Sequence, residues 1–171
     1  MISLVIRISC CAMLVLLAGS AAAYESLPDG FRGLQWGTNI ATVKQSMVLI
    51  EDGGDTKYYS KMEDKLSIGE AKVSKIVYGF YKGQLYSGFI NFVGYSNYST
   101  LKLILFEKYG PGYQANQFME NYSWGLLAPI TINLKYSKVS DKGFIHYLQN
   151  AISHQGEEDR KIKAKDASKD I

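Results

Sequence analysis

The only imidazoles in this chain of 171 residues, His146 and His154, stand eight positions apart, and no cysteine lies near either. A metal centre needs convergent imidazoles, thiolates or carboxylates at ligand spacing. His146 falls inside the alternating run "FIHYLQN" and His154 borders a charged tail, so neither has such a partner and no metal is expected. Glu63, Glu70, Glu107 and Glu120 could in principle meet across a cleft and serve glycoside hydrolysis, although no spacing marks any two of them. A serine nucleophile would need a strained G-x-S-x-G turn, and "YSGF" and "YSNYS" read instead as strand and helix start. "YGPGY" lacks the lysine and hydroxyl of a phosphate loop and ends a helical pattern where a phosphate site would begin one. "EDGGD" lacks the ligand spacing of a calcium loop and reads as a solvated turn. The chain is therefore expected not to be an enzyme and to need no cofactor. The side chains best suited to binding are the polar alternates of the late strands, Asn121, Asn133 and Lys135.

The first 23 residues, "MISLVIRISCCAMLVLLAGSAAA", carry one cation at Arg7, an apolar run and a small-residue end, the layout of a secretory signal peptide cleaved near Ala23. The apolar run is shorter than the roughly 20 residues that span a bilayer, so no transmembrane segment is expected in the mature chain. Cleavage would remove Cys10 and Cys11, the only two cysteines, leaving a thiol-free protein in the periplasm or outside the cell. Residues 24–171 hold 18 basic and 16 acidic side chains, too even a balance for a nucleic-acid partner. They also hold all 13 Tyr, 7 Phe and both Trp, a content typical of sheets with large half-buried faces.

The elements that would position these residues are legible in outline. "TNIATVKQSM" spaces Ile40, Val43 and Met47 as a short amphipathic helix, with Thr38 or Asn39 to cap it. Strand-like flanks surround "EDGGD". Two runs rich in Ile, Val, Tyr and Phe meet at Lys82 and Gly83 as a β-hairpin. "SNYSTLKLILFEKYGPG" predicts a helix capped by Ser96 or Asn97, with Leu101, Leu105 and Tyr109 on one stripe and Gly110 as its stop. "NQFMENYSW" reads as a strand. "ITINLKYSK" alternates, Ile132, Leu134 and Tyr136 on a buried face and Thr131, Asn133, Lys135 and Ser137 on a wet one, and "FIHYLQN" pairs back on it. Residues 151–171 form a charged tail, helical or disordered.

"FRGLQWGTNIATVK" is echoed by "FVGYSNYSTLK", with Phe31, Gly33, Asn39, Thr42 and Lys44 matching Phe92, Gly94, Asn97, Thr100 and Lys102. This predicts two αβββ pseudo-repeats, about 31–91 and 92–150, within a single α+β domain over 24–150. Neither unit could hide its apolar face alone. Together they would form one mainly antiparallel sheet with two helices on one face, sealed at the entry by Phe31 and Trp36. The segment "FRGLQWGT", followed by a short helix behind a signal peptide, resembles the opening of small exported bacterial proteins of unknown function with an F-x-G-x-x-W-G-T pattern. More distantly, two tandem helix-plus-sheet units resemble the β-lactamase inhibitor protein and the SmpA/OmlA class of envelope proteins. Those are interaction modules, and the resemblance implies binding rather than catalysis. The chain departs from them in lacking the inhibitor's disulfides and the lipid-modified cysteine of the envelope class, so no functional residue carries over.

The expected function is a non-catalytic envelope module that binds a protein or ligand through the sheet face not covered by helices, using Asn121, Asn133 and Lys135. The alternatives are a small glycan-directed hydrolase and a structural protein whose open face makes a homodimer.

Overall fold

The computed structural model describes residues 24–170. The expected signal peptide, its cleavage site and both cysteines lie outside the described residues. A two-residue ladder, β1 (Gly30–Phe31) with β2 (Leu34–Gln35), opens the fold and leads to α1 (Ile40–Val43). The strands β3 (Met47–Gly53), β4 (Thr56–Lys61), β7 (Lys75–Tyr81) and β8 (Gln84–Val93) follow as a meander, with a small ladder of β5 (Ser67–Ile68) and β6 (Ala71–Lys72) between β4 and β7. Then α2 (Tyr95–Tyr109) carries the chain to the far edge of the sheet. From there β9 (Glu120–Trp124), β10 (Ile130–Ser137) and β11 (Lys142–Gln149) return, and α3 (Asn150–Ala167) closes the chain. The result is a seven-stranded antiparallel sheet in the order β3-β4-β7-β8-β11-β10-β9, an α+β architecture.

The two halves meet where β11 lies against β8, in an unbroken register from Lys142 opposite Val93 to Leu148 opposite Ser87. In place of three strands per half, the seven-stranded sheet takes four from the segment after α1 and three from the segment after α2, and β5 and β6 form their own ladder. Two segments differ from their sequence reading for local reasons. Met47 belongs to β3 rather than α1, because the β-favouring run "MVLI" takes over after one turn of helix and a 3₁₀ turn at Lys44–Ser46. Asn39 does cap α1, its side chain accepting from the Ala41 amide at 2.9 Å. At α2 the cap position is Gly94, not Ser96 or Asn97. Asn97 instead accepts from the Lys72 amide and donates to the Val93 carbonyl, both at 2.8 Å, so it ties the β5/β6 ladder to the helix.

Alternation sorts the sheet into two faces. One carries Tyr59, Ile76, Tyr78, Phe80, Leu85, Ile90, Phe92, Tyr122, Trp124, Ile132, Leu134 and Ile145, all buried. Tyr98, Leu101 and Leu105 of α2 pack on it, together with Phe31, Trp36 and the α1 residues Ile40 and Val43. Trp36 donates its indole N–H to the Pro28 carbonyl at 2.9 Å. The opening motif is thus a lid on the core. At the β7–β8 turn, Lys82 and Gly83 have φ of 46° and 80°, the left-handed pair that a two-residue hairpin requires. α3 does not join α1 and α2. It lies on the opposite face, against β7, β8 and β11, where Gly156 seats on the ring of Tyr81.

Where α2 meets β9, a polar network is set into the core edge. Tyr98, 1% exposed, donates to Glu120 Oε2, Tyr122 donates to the same oxygen at 3.1 Å, and Lys102 donates to Tyr122 at 2.7 Å. The bond from Tyr98, aided by that from Tyr122 and by the charges of Lys102 and Lys138, holds the Glu120 carboxyl below its ordinary range against partial desolvation. A carboxyl so lowered adds stability above its unfolded pKa, and that stability is lost as pH falls through the folded value. Glu120→Gln is expected to cost about 1–2 kcal/mol at pH 7, because a neutral acceptor replaces a charged one. It should also flatten the acid limb below about pH 4 in urea titrations. An acid limb unchanged by the substitution would show that Glu120 is not the titrating group.

Candidate functional site

The second face of the sheet is covered only at one end. α3 is clamped there by Asp159, which accepts from Tyr81 and from Lys82 (2.6 Å from Nζ), and by the ion pair of Lys163 with Asp55 in the β3–β4 turn. Beyond the helix the face stays open. Moving away from α3 it presents Phe89, Asn91, Phe144, His146, Asn133, Lys135 and Asn121 on four neighbouring strands.

Register brings these side chains together. Lys135 on β10 stands between Phe144 on β11 and Asn121 on β9. Asn133, two residues back on β10, stands between His146 and Ser123, and the Ser123 hydroxyl donates to its Oδ1 at 2.7 Å. A cavity of about 630 Å³ lies over this corner, with Asn91, Asn121, Lys135 and Phe144 in its lining. Its rim holds Phe118, Met119 and Val139, which are 86%, 57% and 99% exposed. Of the three residues expected to bind, Asn121 and Lys135 therefore line one cavity. Asn133 shares their face but lies outside that lining, its amide oxygen already engaged.

Among the described residues, three buried side-chain polar atoms lack a hydrogen-bond partner: Ser87 Oγ, Asn121 Oδ1 and His146 Nε2. By strand alternation all three lie on this second face. A buried polar atom left unpaired is costly, so each of the three marks a point where packing leaves a polar group short of a partner. His146 stacks flat on Phe89, with centroids 4.0 Å apart and planes 4° from parallel. Burial pushes its pKa down to about 4, and the charge of Lys135 acts in the same direction.

Phe144, His146 and Asn91 could have been placed here by extending the alternation of β10 into its neighbours. Phe118 and Met119 had a weaker signal, an apolar pair in the run "NQFMENYSW" that reads as strand throughout, whereas β9 begins only at Glu120 and leaves the pair in the turn before it. The carboxylates considered for hydrolysis stand on separate elements: Glu63 after β4, Glu70 in the β5–β6 turn, Glu107 on α2 and Glu120 on β9. Only Glu120 borders the cavity. His154 lies exposed on α3, 3.8 Å from Glu157. Among the described residues, no group of three His, Cys, Asp or Glu side chains gathers as a metal site, and no helix is long and apolar enough to cross a membrane. The arrangement offers cations, amides and an aromatic floor, the parts of a recognition surface for a ligand that is polar at one end and apolar at the other. Compared with family models, with curated proteins and with solved structures, the chain matches none.

Proposed function

We propose that this protein is an exported, non-catalytic binding module of the cell envelope, which captures its partner or ligand on the open end of the second sheet face. The observation that carries the reading is the cavity of about 630 Å³ whose wall holds Asn121, Lys135 and Phe144 side by side on three neighbouring strands. Export is supported by the layout of the first 23 residues, and mass spectrometry of a fractionated cell should find the protein outside the cytoplasm and beginning at Tyr24. We read the two helix-led halves as related units. In support, Phe31 and Phe92 are both buried, and Gly33 and Gly94, two residues on, have φ of 84° and 94°.

The test compares the two faces. A photo-crosslinking side chain at Lys135 is expected to yield an adduct with an envelope component, whereas one at Leu103, exposed on α2 on the other side of the sheet, is not. Replacing Asn121, Asn133 and Lys135 together by alanine should abolish that adduct from a neighbouring probe at Ser137, with unfolding free energy lowered by only about 0.5–1.5 kcal/mol, the cost of the Ser123–Asn133 hydrogen bond. Equal adduct yields from both faces would overturn the reading. A second reading, a subunit interface, is favoured by one observation: β3, the outer strand at the other edge of the sheet, presents the exposed Val48, Leu49 and Ile50. Sedimentation at several concentrations separates it from the first.

A further inference from the structure

Resting on the reading of this face as a binding surface, we infer that its partner is the surface of an anionic lipid bilayer, met end-on by two apolar loop apices with lysines beside them. The contact lies at the end of the sheet where β8 and β10 stop and β9 and β11 begin, with Lys142 opposite both Val93 and Ser137, and Tyr136 opposite Glu120.

Phe118 and Met119 form one apex, in the loop before β9, and Val139 forms the other, in the β10–β11 turn; both border the cavity over Lys135 and Phe144. Each apex is held in place by polar groups. Asn116 Oδ1 accepts from the Phe118 amide at 2.9 Å, and Gln114 donates to the Met119 carbonyl at 2.7 Å. In the turn, the Ser140 amide donates to Ser137 Oγ at 3.3 Å, and Asp141 accepts from the Tyr136 hydroxyl at 2.6 Å and, through its carbonyl, from the Gly94 amide at 2.9 Å. This scaffolding keeps apolar side chains out in water, where they add nothing to the core. Val93 and Tyr95, both about half exposed, extend the apolar surface at the same end. The contact is discontinuous, two tips with a hollow between them. A protein partner would need two matching pockets at a fixed separation, whereas a fluid interface closes around each tip independently.

Charge selects the kind of bilayer. Lys135, Lys138 and Lys142 border the cavity, and Lys75 continues the row in an adjoining hollow that shares Asn91 and Lys142. All four are exposed. Two carboxylates stand among them: Glu120, ionised and in the same lining, with Lys138 3.7 Å away, and Asp141 in the turn beside Val139. Four cations against two anions leave this end positive. The lysines keep their water, because a hydrated ammonium is drawn to lipid phosphates through solvent over a Debye length of about 8–10 Å; the attraction needs no desolvation. The other end of β10 supplies the contrast. There the β9–β10 turn exposes Leu126 and Leu127 comparably, but its run Gly125–Pro129 holds no charged residue. Apolar tips stand at both ends of β10, and only the Val139 turn carries lysines of its own.

The test is co-sedimentation of the mature chain with large vesicles of phosphatidylglycerol and phosphatidylcholine in equal parts, set against vesicles of phosphatidylcholine alone. The anionic vesicles should bind about tenfold or more tightly than the neutral ones, and raising the salt from about 0.05 to about 0.5 M should remove most of that difference. Phe118→Ser combined with Val139→Ser should weaken binding to the anionic vesicles about tenfold, and so should Lys138→Gln combined with Lys142→Gln. Leu126→Ser combined with Leu127→Ser should change it by less than about twofold. All of these positions are exposed, so urea midpoints should stay at the wild-type value. Over the signal of Trp36 and Trp124, Phe118→Trp should add an emission that shifts to the blue on anionic vesicles and is quenched by brominated acyl chains, while Leu127→Trp should do neither.

Equal binding to neutral and anionic vesicles would overturn the inference, and so would binding that survives the Phe118 and Val139 changes. An equal loss from the Leu126 and Leu127 changes would overturn it in favour of general apolar adhesion. No binding to any vesicle would overturn it too. If the probe at Lys135 still forms an adduct with an envelope protein in that case, the face is a binding surface for a protein; if the adduct is also lost, both readings fail.

Discussion

Replacing Gly88 by alanine is expected to lower the unfolding free energy by about 2–4 kcal/mol, one of the largest effects available to a single methyl group in this protein. Gly88 sits in the middle of β8, where a glycine ordinarily weakens a strand. Its neighbours across the ladders are Tyr78 on β7 and Tyr147 on β11. The gap between these two tyrosines is filled from above by Phe31, 2% exposed, whose ring centroid lies 5.1 Å from that of Tyr78 and 5.4 Å from that of Tyr147. A Cβ on residue 88 would come within 2.4 Å of the Phe31 ring. Held between two tyrosines, the ring can escape only by lifting off the sheet and taking the β1/β2 ladder with it. Urea titration gives the cost directly. In a Phe31→Leu background the same Gly88→Ala change should cost clearly less, since the clash needs both partners. If the cost is the same in both backgrounds, Phe31 does not seat on Gly88.

The contact also shows where sequence reasoning stops. "FRGLQW" announces a lid through its aromatic content, and "GFINF" reads as strand, but no local pattern says that the first residue of one run rests on the glycine of another. The elements that were legible are those whose signal is local. The Lys82–Gly83 turn, the Leu101 and Leu105 stripe of α2 with its Gly110 stop, and the alternation of β10 each follow from neighbours a few residues apart. The sheet order was not local, because α2 leads to the far edge and the last strand in sequence, β11, lies in the middle beside β8. The placement of α3 was hidden for another reason. Its sequence "NAISHQGEEDRKIKAKDA" carries too few apolar residues to mark a buried stripe. It is held by a glycine seated on Tyr81 and by Asp159 and Lys163, contacts that exist only once the β3–β4 and β7–β8 turns stand side by side. Similarly, alternation alone put Asn133 and Lys135 on a wet face, whereas the meeting of Lys135 with Asn121 and Phe144 depends on the registers of β9 and β11.

Acidifying the protein from pH 7 to pH 4 is expected to remove on the order of 2–3 kcal/mol of stability through His146 alone. The imidazole is stacked on Phe89 with its Nε2 buried and unpaired, and burial, reinforced by the charge of Lys135, brings its pKa from 6.5 down to about 4. The sign follows from proton counting. Above pH 6.5 neither the folded nor the unfolded chain binds the proton, and the group contributes nothing. Between 6.5 and about 4 the unfolded chain takes it up and the folded chain does not, so stability falls by about 1.4 kcal/mol per pH unit at most. Below about 4 both states are protonated and this slope ends. Asn133 and Phe89, the neighbours of His146 across its two ladders, carry no charge that could compensate an imidazolium, and Lys135 opposes it. His146→Phe should therefore leave stability at pH 7 unchanged or raised by up to about 1 kcal/mol while abolishing the slope between pH 6.5 and 4. The Glu120 limb would survive in that variant, because its window begins only where the unfolded carboxylate starts to protonate. Paired urea midpoints at pH 7 and 4.5 for both proteins decide the matter. A wild-type profile as flat as that of His146→Phe would mean that Nε2 is hydrated in solution. The open face would then have one fewer shielded polar atom, and the case for an occupant would rest on the cavity over Lys135 and Phe144 alone.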